Sequence, residues 1–149
     1  KKKYQTKNGQ NFLFCMEKHC GQEGYKVIAV NEGGIESILR IKEVLDRKEY
    51  VCFQGDRFVE GSPTVTLPFM RHEAPFPAGP FAVAGKFRAP VVFYYAMRER
   101  GRRYRFIFDI PDEDGCGTKE AILGSYVRSL EAVVRRYPQQ WFNFYRFWS

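Results

Sequence analysis

Cysteine is sparse: Cys15, Cys20, Cys52 and Cys116 are scattered along 149 residues, which excludes a small disulfide scaffold. Reduced, cytosol-facing thiols are expected, with Cys52 buried in its apolar run. "CMEKHC" (Cys15, His19, Cys20) matches no usual zinc spacing and has no second ligand pair, so no metal site is expected. Long apolar runs are also missing. No stretch reaches the roughly 18 apolar residues that a membrane-crossing helix needs. The opening "KKKYQTKNGQ" is basic and polar with no apolar segment behind it, so no signal peptide is expected. Internal repeats and low-complexity tracts are absent too. Histidine occurs only as His19 and His72.

What is present is enough apolar material for a core: 44% of residues are hydrophobic, in a chain the length of one ordinary domain. A single domain over residues 1–149 is the expectation. The net charge of +7 points to an anionic partner, whether nucleic acid, a phospholipid surface or a phosphorylated substrate. Aromatics make up 17% of the chain and crowd its end, "QWFNFYRFW". They suit a core. Trp and Tyr, with an apolar body and a polar tip, also suit a membrane interface.

Periodicity gives the elements. "YKVIAV" (25–30) and "YVCF" (50–53) read as strands buried on both faces. Between them, "GIESILRIKEVLDRKE" reads as a helix over 35–47. Its apolar stripe is Ile35, Ile38, Leu39, Ile41 and Leu45, and Glu36–Arg40 and Glu43–Arg47 are i,i+4 pairs on its wet side. Strand, helix, strand is a βαβ unit with parallel strands. "PVVFYYAMRER" reads as a third strand, too apolar to be half-solvated. "RYRFIFDI" reads as its antiparallel neighbour. A short helix is expected from Pro80 or Phe81 to Phe87. A long one follows Thr118 with the stripe Ile122, Tyr126, Val127, Leu130, Val133, Val134 and Tyr137, and Pro138 ends it. The expected fold is α/β: strands 26–30, 51–54 and 91–97 in one mostly parallel, mixed sheet flanked by helices.

Gln54 to Pro80 has no helical period and many prolines, and reads as a long loop, a kind that is uncommon and often functional. In open α/β sheets ligands bind beyond the carboxyl ends of strands. Gly55-Asp56-Arg57 sits at such an end. Gly55 permits a tight turn or a close approach. Arg57 can fork onto a phosphate or carboxylate, and Asp56 can orient that guanidinium. The plainer alternative is an Asp–Arg pair that only pins the loop.

"GDRFVEGSPTVTLPFMRHEAPFPAGPFAVAGKFRAPVVFYYAMRERGRRYRFIF" followed by "YPQQWFNFYRFW" resembles the lysophospholipid acyltransferase superfamily, closest to the bacterial lipid A biosynthesis (lauroyl/myristoyl) branch. The likeness runs over roughly residues 25 to 149. It lies in the turn with Asp56 and Arg57; in Pro68 to Pro80, with Met70 in the place of a glycine; in the apolar strand Pro90 to Arg98; and in Pro138 to Trp148. The resemblance implies transfer of a fatty acyl group from an acyl carrier protein or coenzyme A thioester to a lipid hydroxyl, of lipid A or phospholipid type. It implies no cofactor beyond that co-substrate, and a peripheral place on the cytoplasmic face of the bacterial inner membrane. Carried over by position, Gly55, Asp56 and Arg57 match the block that binds the acceptor's anionic group. Phe76, Pro77 and Gly79 match the next block, where Ala78 replaces a glutamate.

The superfamily's H-x4-D/E pair, a histidine base oriented by a carboxylate, has no counterpart. Five places after His19 stands Gly24, and five after His72 stands Pro77. The chain is therefore expected to be the C-terminal portion of an acyltransferase-like domain, with no catalytic residue of its own. An exposed sheet face, self-association or membrane adhesion would follow from such a fragment. Two alternatives are a noncatalytic lipid- or anion-binding module and a nucleic-acid binder that stacks bases over a positive groove. Against the second, the aromatics fall in apolar strand runs, and "RYRFIF" lacks the glycine-rich RNP pattern.

Overall fold

The computed structural model describes residues 28, 35–58, 61–111, 117–142 and 147–148. The chain divides into two compact units, Lys1–Val51 and Cys52–Ser149.

In the first unit the described element is α1, Ile35–Asp46. The helix forms as its periodicity requires, but its stripe is largely open. Ile41 is buried, whereas Ile35 and Leu39 are exposed. On the wet side Arg40 reaches Glu36 at 2.6 Å, while Arg47 pairs with Glu49 at 2.6 Å rather than with Glu43.

Among its described residues the second unit holds two antiparallel hairpins and two α-helices. β1 (Thr64–Phe69) pairs with β2 (His72–Pro77), and β3 (Phe93–Arg98) pairs with β4 (Tyr104–Asp109). α2 spans Gly79–Phe87 and α3 spans Lys119–Arg136, followed by a 3-10 turn at Pro138–Gln140. The expected mostly parallel sheet is therefore corrected: among the described residues both sheets are two-stranded and antiparallel. The segment 26–30 lies outside the described residues, except for Ile28. The segment 51–54 is irregular, and Cys52, expected to be buried, is exposed. An apolar strand of that kind needs a partner on each side to satisfy its backbone, and none is paired with it among the described residues. The strand expected over 91–97 does form, as β3.

The loop expected over 54–80 is corrected as well, because β1 and β2 occupy half of it. Prolines hid them. In a two-stranded sheet every strand is an edge, so Pro68 and Pro75 can sit where no ladder N–H is required. Along β1, Val65, Leu67 and Phe69 turn inward; opposite them, Phe76, Ala74 and His72 complete the pairs. The hairpin closes through Met70 and Arg71, at φ 53° and 70°, the positive-φ signature of a type I′ turn.

α3 is the spine of the core. Thr118 caps it, its hydroxyl accepting from the Ala121 N–H at 3.3 Å, and Arg135 and Arg136 lie in the last turn against the helix dipole. Its stripe Ile122, Tyr126, Val127, Leu130, Val133 and Val134 is buried as the spacing predicts. Phe69, Phe76, Phe81, Phe93 and Phe147 pack round it. α2 crosses the start of α3 so closely that a Cβ on Gly85 would lie 2.8 Å from the Lys119 nitrogen. α2 itself starts with Pro80 in its first turn, as expected, and ends at Arg88 in the left-handed region at φ 48°.

Candidate functional site

The six residues singled out by the sequence fall into a packed cluster, a half-buried turn at Asp56–Arg57 and the exposed Gly79. Gly55 lies against the phenol of Tyr126, where a Cβ would come within 2.6 Å of the ring. Glycine is required there by close approach. Tyr126 in turn meets Phe81 at 5.3 Å, Phe93 at 5.2 Å and Phe76 at 6.4 Å. Phe76 is fully buried, and Pro77 beside it is buried at the end of β2. Gly79 is exposed at the start of α2, and a Cβ there would meet nothing within 4 Å, so the fold itself does not demand glycine.

Asp56 and Arg57 face a different partner, the segment after α3. The Trp141 indole N–H donates to Asp56 Oδ2 at 3.1 Å. The Arg57 guanidinium donates to the Phe142 carbonyl at 2.6 Å. Asp56 and Arg57 approach each other only at 3.9 Å, the outer limit of an ion pair. Asp56 thus orients Trp141 more directly than it orients Arg57. The Trp141 ring packs edge-on against Phe69 at 5.3 Å and Phe147 at 5.1 Å, which links this turn to the aromatic core.

The sequence places Tyr126 in the helix stripe and Gln140, Trp141 and Phe142 within the C-terminal motif, but singles out none of them as a site residue. Gln140 ties down the end of β3: its side-chain oxygen accepts from the Arg98 N–H at 2.7 Å, and its amide donates to the Arg98 carbonyl at 2.9 Å. Beside these parts lies an open cleft of about 480 Å³ lined by Ala96, Arg98, Glu99, Tyr104, Gln139, Gln140 and Phe142. That is within the usual size range of small-ligand sites. Phe142 is the common member: its carbonyl is held by Arg57 and its residue lines the cleft. The available signal for this grouping was the resemblance, which joins the GDR turn, the strand ending at Arg98 and the "PQQWF" segment.

Tyr95 is the strongly shifted group near this region. Burial pushes its phenol up to about 12, while its hydrogen bond to the Ser129 hydroxyl at 3.1 Å works the other way. It stays a protonated donor at neutral pH and is no general base. His72 stands exposed at the start of β2, with its ring 6.3 Å from Trp148.

No protein-family model matches the sequence, and no curated protein matches it.

Proposed function

We propose that this chain supplies the acceptor-recognition part of a lipid acyl transfer, from an acyl carrier protein or coenzyme A thioester to a lipid hydroxyl, at the cytoplasmic face of a bacterial inner membrane. Motif order in the sequence supports this reading, and one structural observation carries it. Asp56 and Arg57 reach across the unit to Trp141 and Phe142, and Phe142 in turn lines a cleft with Arg98 and Glu99. Arginine is suited to such a site because its planar fork matches phosphate and carboxylate oxygens. The fold adds no support, since the mostly parallel, mixed sheet expected from the sequence is not found among the described residues. A noncatalytic lipid- or anion-binding module is the second reading.

Calorimetric titration with a phosphate-bearing lysolipid tests the site. A charge-assisted contact to phosphate is worth about 1.5–3 kcal/mol, or roughly one to two decades in affinity. Arg57→Ala is expected to lose that much, and Arg57→Lys, which keeps the charge without the fork, to lose part of it. If Arg57 only pins the C-terminal segment through the Phe142 carbonyl, both variants melt earlier and affinity per folded molecule is unchanged. That outcome ends the acceptor-site reading.

A further inference from the structure

Among the described residues, the β3–β4 hairpin leaves much of one face exposed, with Gln140 and Phe142 beside its Ala96–Arg98 end. Tyr94 stands opposite Phe108, Ala96 opposite Phe106 and Arg98 opposite Tyr104. Val92, Tyr94, Tyr104, Phe106, Phe108 and Ile110 are all exposed, Phe108 at 68%. The rings of Tyr94 and Phe108 stack at 6.3 Å with 25° between their planes. The result is a continuous apolar surface, which on a folded protein marks an interaction site. At the tip of the same hairpin, Arg98, Arg100, Arg102, Arg103 and Arg105 stand exposed, with Glu99 as the one acid among them, and Arg105 engages it at 2.9 Å.

We propose that this face docks on an anionic lipid bilayer, with the aromatic and aliphatic side chains at the acyl–headgroup boundary and the tip arginines on lipid phosphates. The charge selects the partner. A second copy of the chain would bring a second arginine cluster of the same sign. A nucleic acid would need separate rings to stack on, whereas Tyr94 already lies on Phe108, and Val92 and Ile110 extend the patch with side chains that stack nothing. Tyr is suited to the headgroup level, and arginine stems can lie on apolar surface while their heads reach phosphate. The face shares Ala96, Arg98 and Tyr104 with the cleft, but Tyr94, Phe106, Phe108, Arg100, Arg102 and Arg103 lie outside it, so docking can be tested apart from the acyl-transfer reading.

Co-sedimentation of the purified chain with vesicles tests the proposal, using phosphatidylcholine alone and phosphatidylcholine mixed with phosphatidylglycerol. Binding is expected to the mixed vesicles, and added salt should weaken it. Each basic residue at an anionic surface contributes about 1 kcal/mol, so Arg100→Ala/Arg102→Ala/Arg103→Ala should lower the partition coefficient on the order of a hundredfold. Phe106→Ser/Phe108→Ser should lower it roughly tenfold or more. Both variants alter exposed side chains, so far-UV circular dichroism should match the parent; if the serine pair misfolds, Phe108→Ala alone and the arginine variant carry the test. Equal binding to neutral vesicles, or binding that neither variant changes, overturns the proposal. So does a dimer that the face variant dissociates while no vesicle binding is seen. Tighter binding to a single-stranded oligonucleotide than to the mixed vesicles, lost in the same variants, also overturns it.

Discussion

At Arg71 the backbone asks for glycine and the chain supplies a long cation. Its φ of 70° lies in the left-handed region, and Met70 before it is at 53°. A non-glycine residue there costs about 1–2 kcal/mol. Met70 recovers part of this through core contact and through its N–H, which donates to Glu131 Oε2 at 3.4 Å. Arg71 is exposed. Arg71→Gly should therefore raise stability by about 1 kcal/mol, seen as a melting temperature higher by about 2–4 °C; an unchanged or lower midpoint would refute the strain argument. Gly55 makes the opposite forecast. Its neighbour Tyr126 is boxed in by Phe76, Phe81 and Phe93, so the ring cannot swing clear of a new methyl. Gly55→Ala should cost about 1–3 kcal/mol, as overpacking of a filled core does, and denaturant unfolding measures it directly.

Among the elements, β3 and α3 are joined by a buried polar contact with a pH signature. Tyr95 donates to Ser129, and burial raises its phenol to about 12 from an ordinary value of 10.0. The native state thus holds the proton more tightly than the unfolded chain. Its contribution to stability is complete below about pH 10 and is lost as pH rises toward about 12. Other tyrosines titrate in that window, so the comparison is with Tyr95→Phe: its urea midpoint should fall less steeply with pH than the parent's, and parallel slopes would remove Tyr95 as the cause. α3 was legible in sequence because cap, stripe, terminal arginines and Pro138 all agree on one helix. The β1–β2 hairpin was not. Its turn residues, Met70 and Arg71, lack the Asn-Gly or Gly signature that betrays a type I′ turn, and its prolines read as loop. The open face of β3 was misjudged for a related reason. An apolar run such as "VVFYYAM" looks the same whether its second face is covered or bare, because coverage depends on partners far away in sequence. The contacts of Asp56 and Arg57 with Trp141 and Phe142 cross 85 positions, and local periodicity carries no information at that range.

For the molecule as a whole, the issue is whether recognition and chemistry reside in one chain. The parts proposed for recognition are linked. The Arg98 end of β3 and Phe142 line one cleft, and the Asp56–Arg57 turn joins it through the Arg57 contact to the Phe142 carbonyl. The chemistry of acyl transfer to a hydroxyl further needs a base within hydrogen-bond reach of the acceptor, held in orientation by a carboxylate. His72 is exposed and begins β2, but the residue that would orient it at motif spacing is Pro77, which has no carboxylate and is buried at the strand's end. An exposed imidazole with no carboxylate to orient it is poorly aimed, and losses from misplacement are steep. The purified chain, given an acyl thioester and a lysolipid, should therefore release no thiol above the uncatalysed rate. It should still bind the lysolipid, if the acceptor reading holds. Turnover that disappears in His72→Ala would make His72 the base and overturn the division of labour argued here. Turnover that survives His72→Ala would place the base elsewhere in the chain, and would equally end the claim that recognition is all this chain contributes.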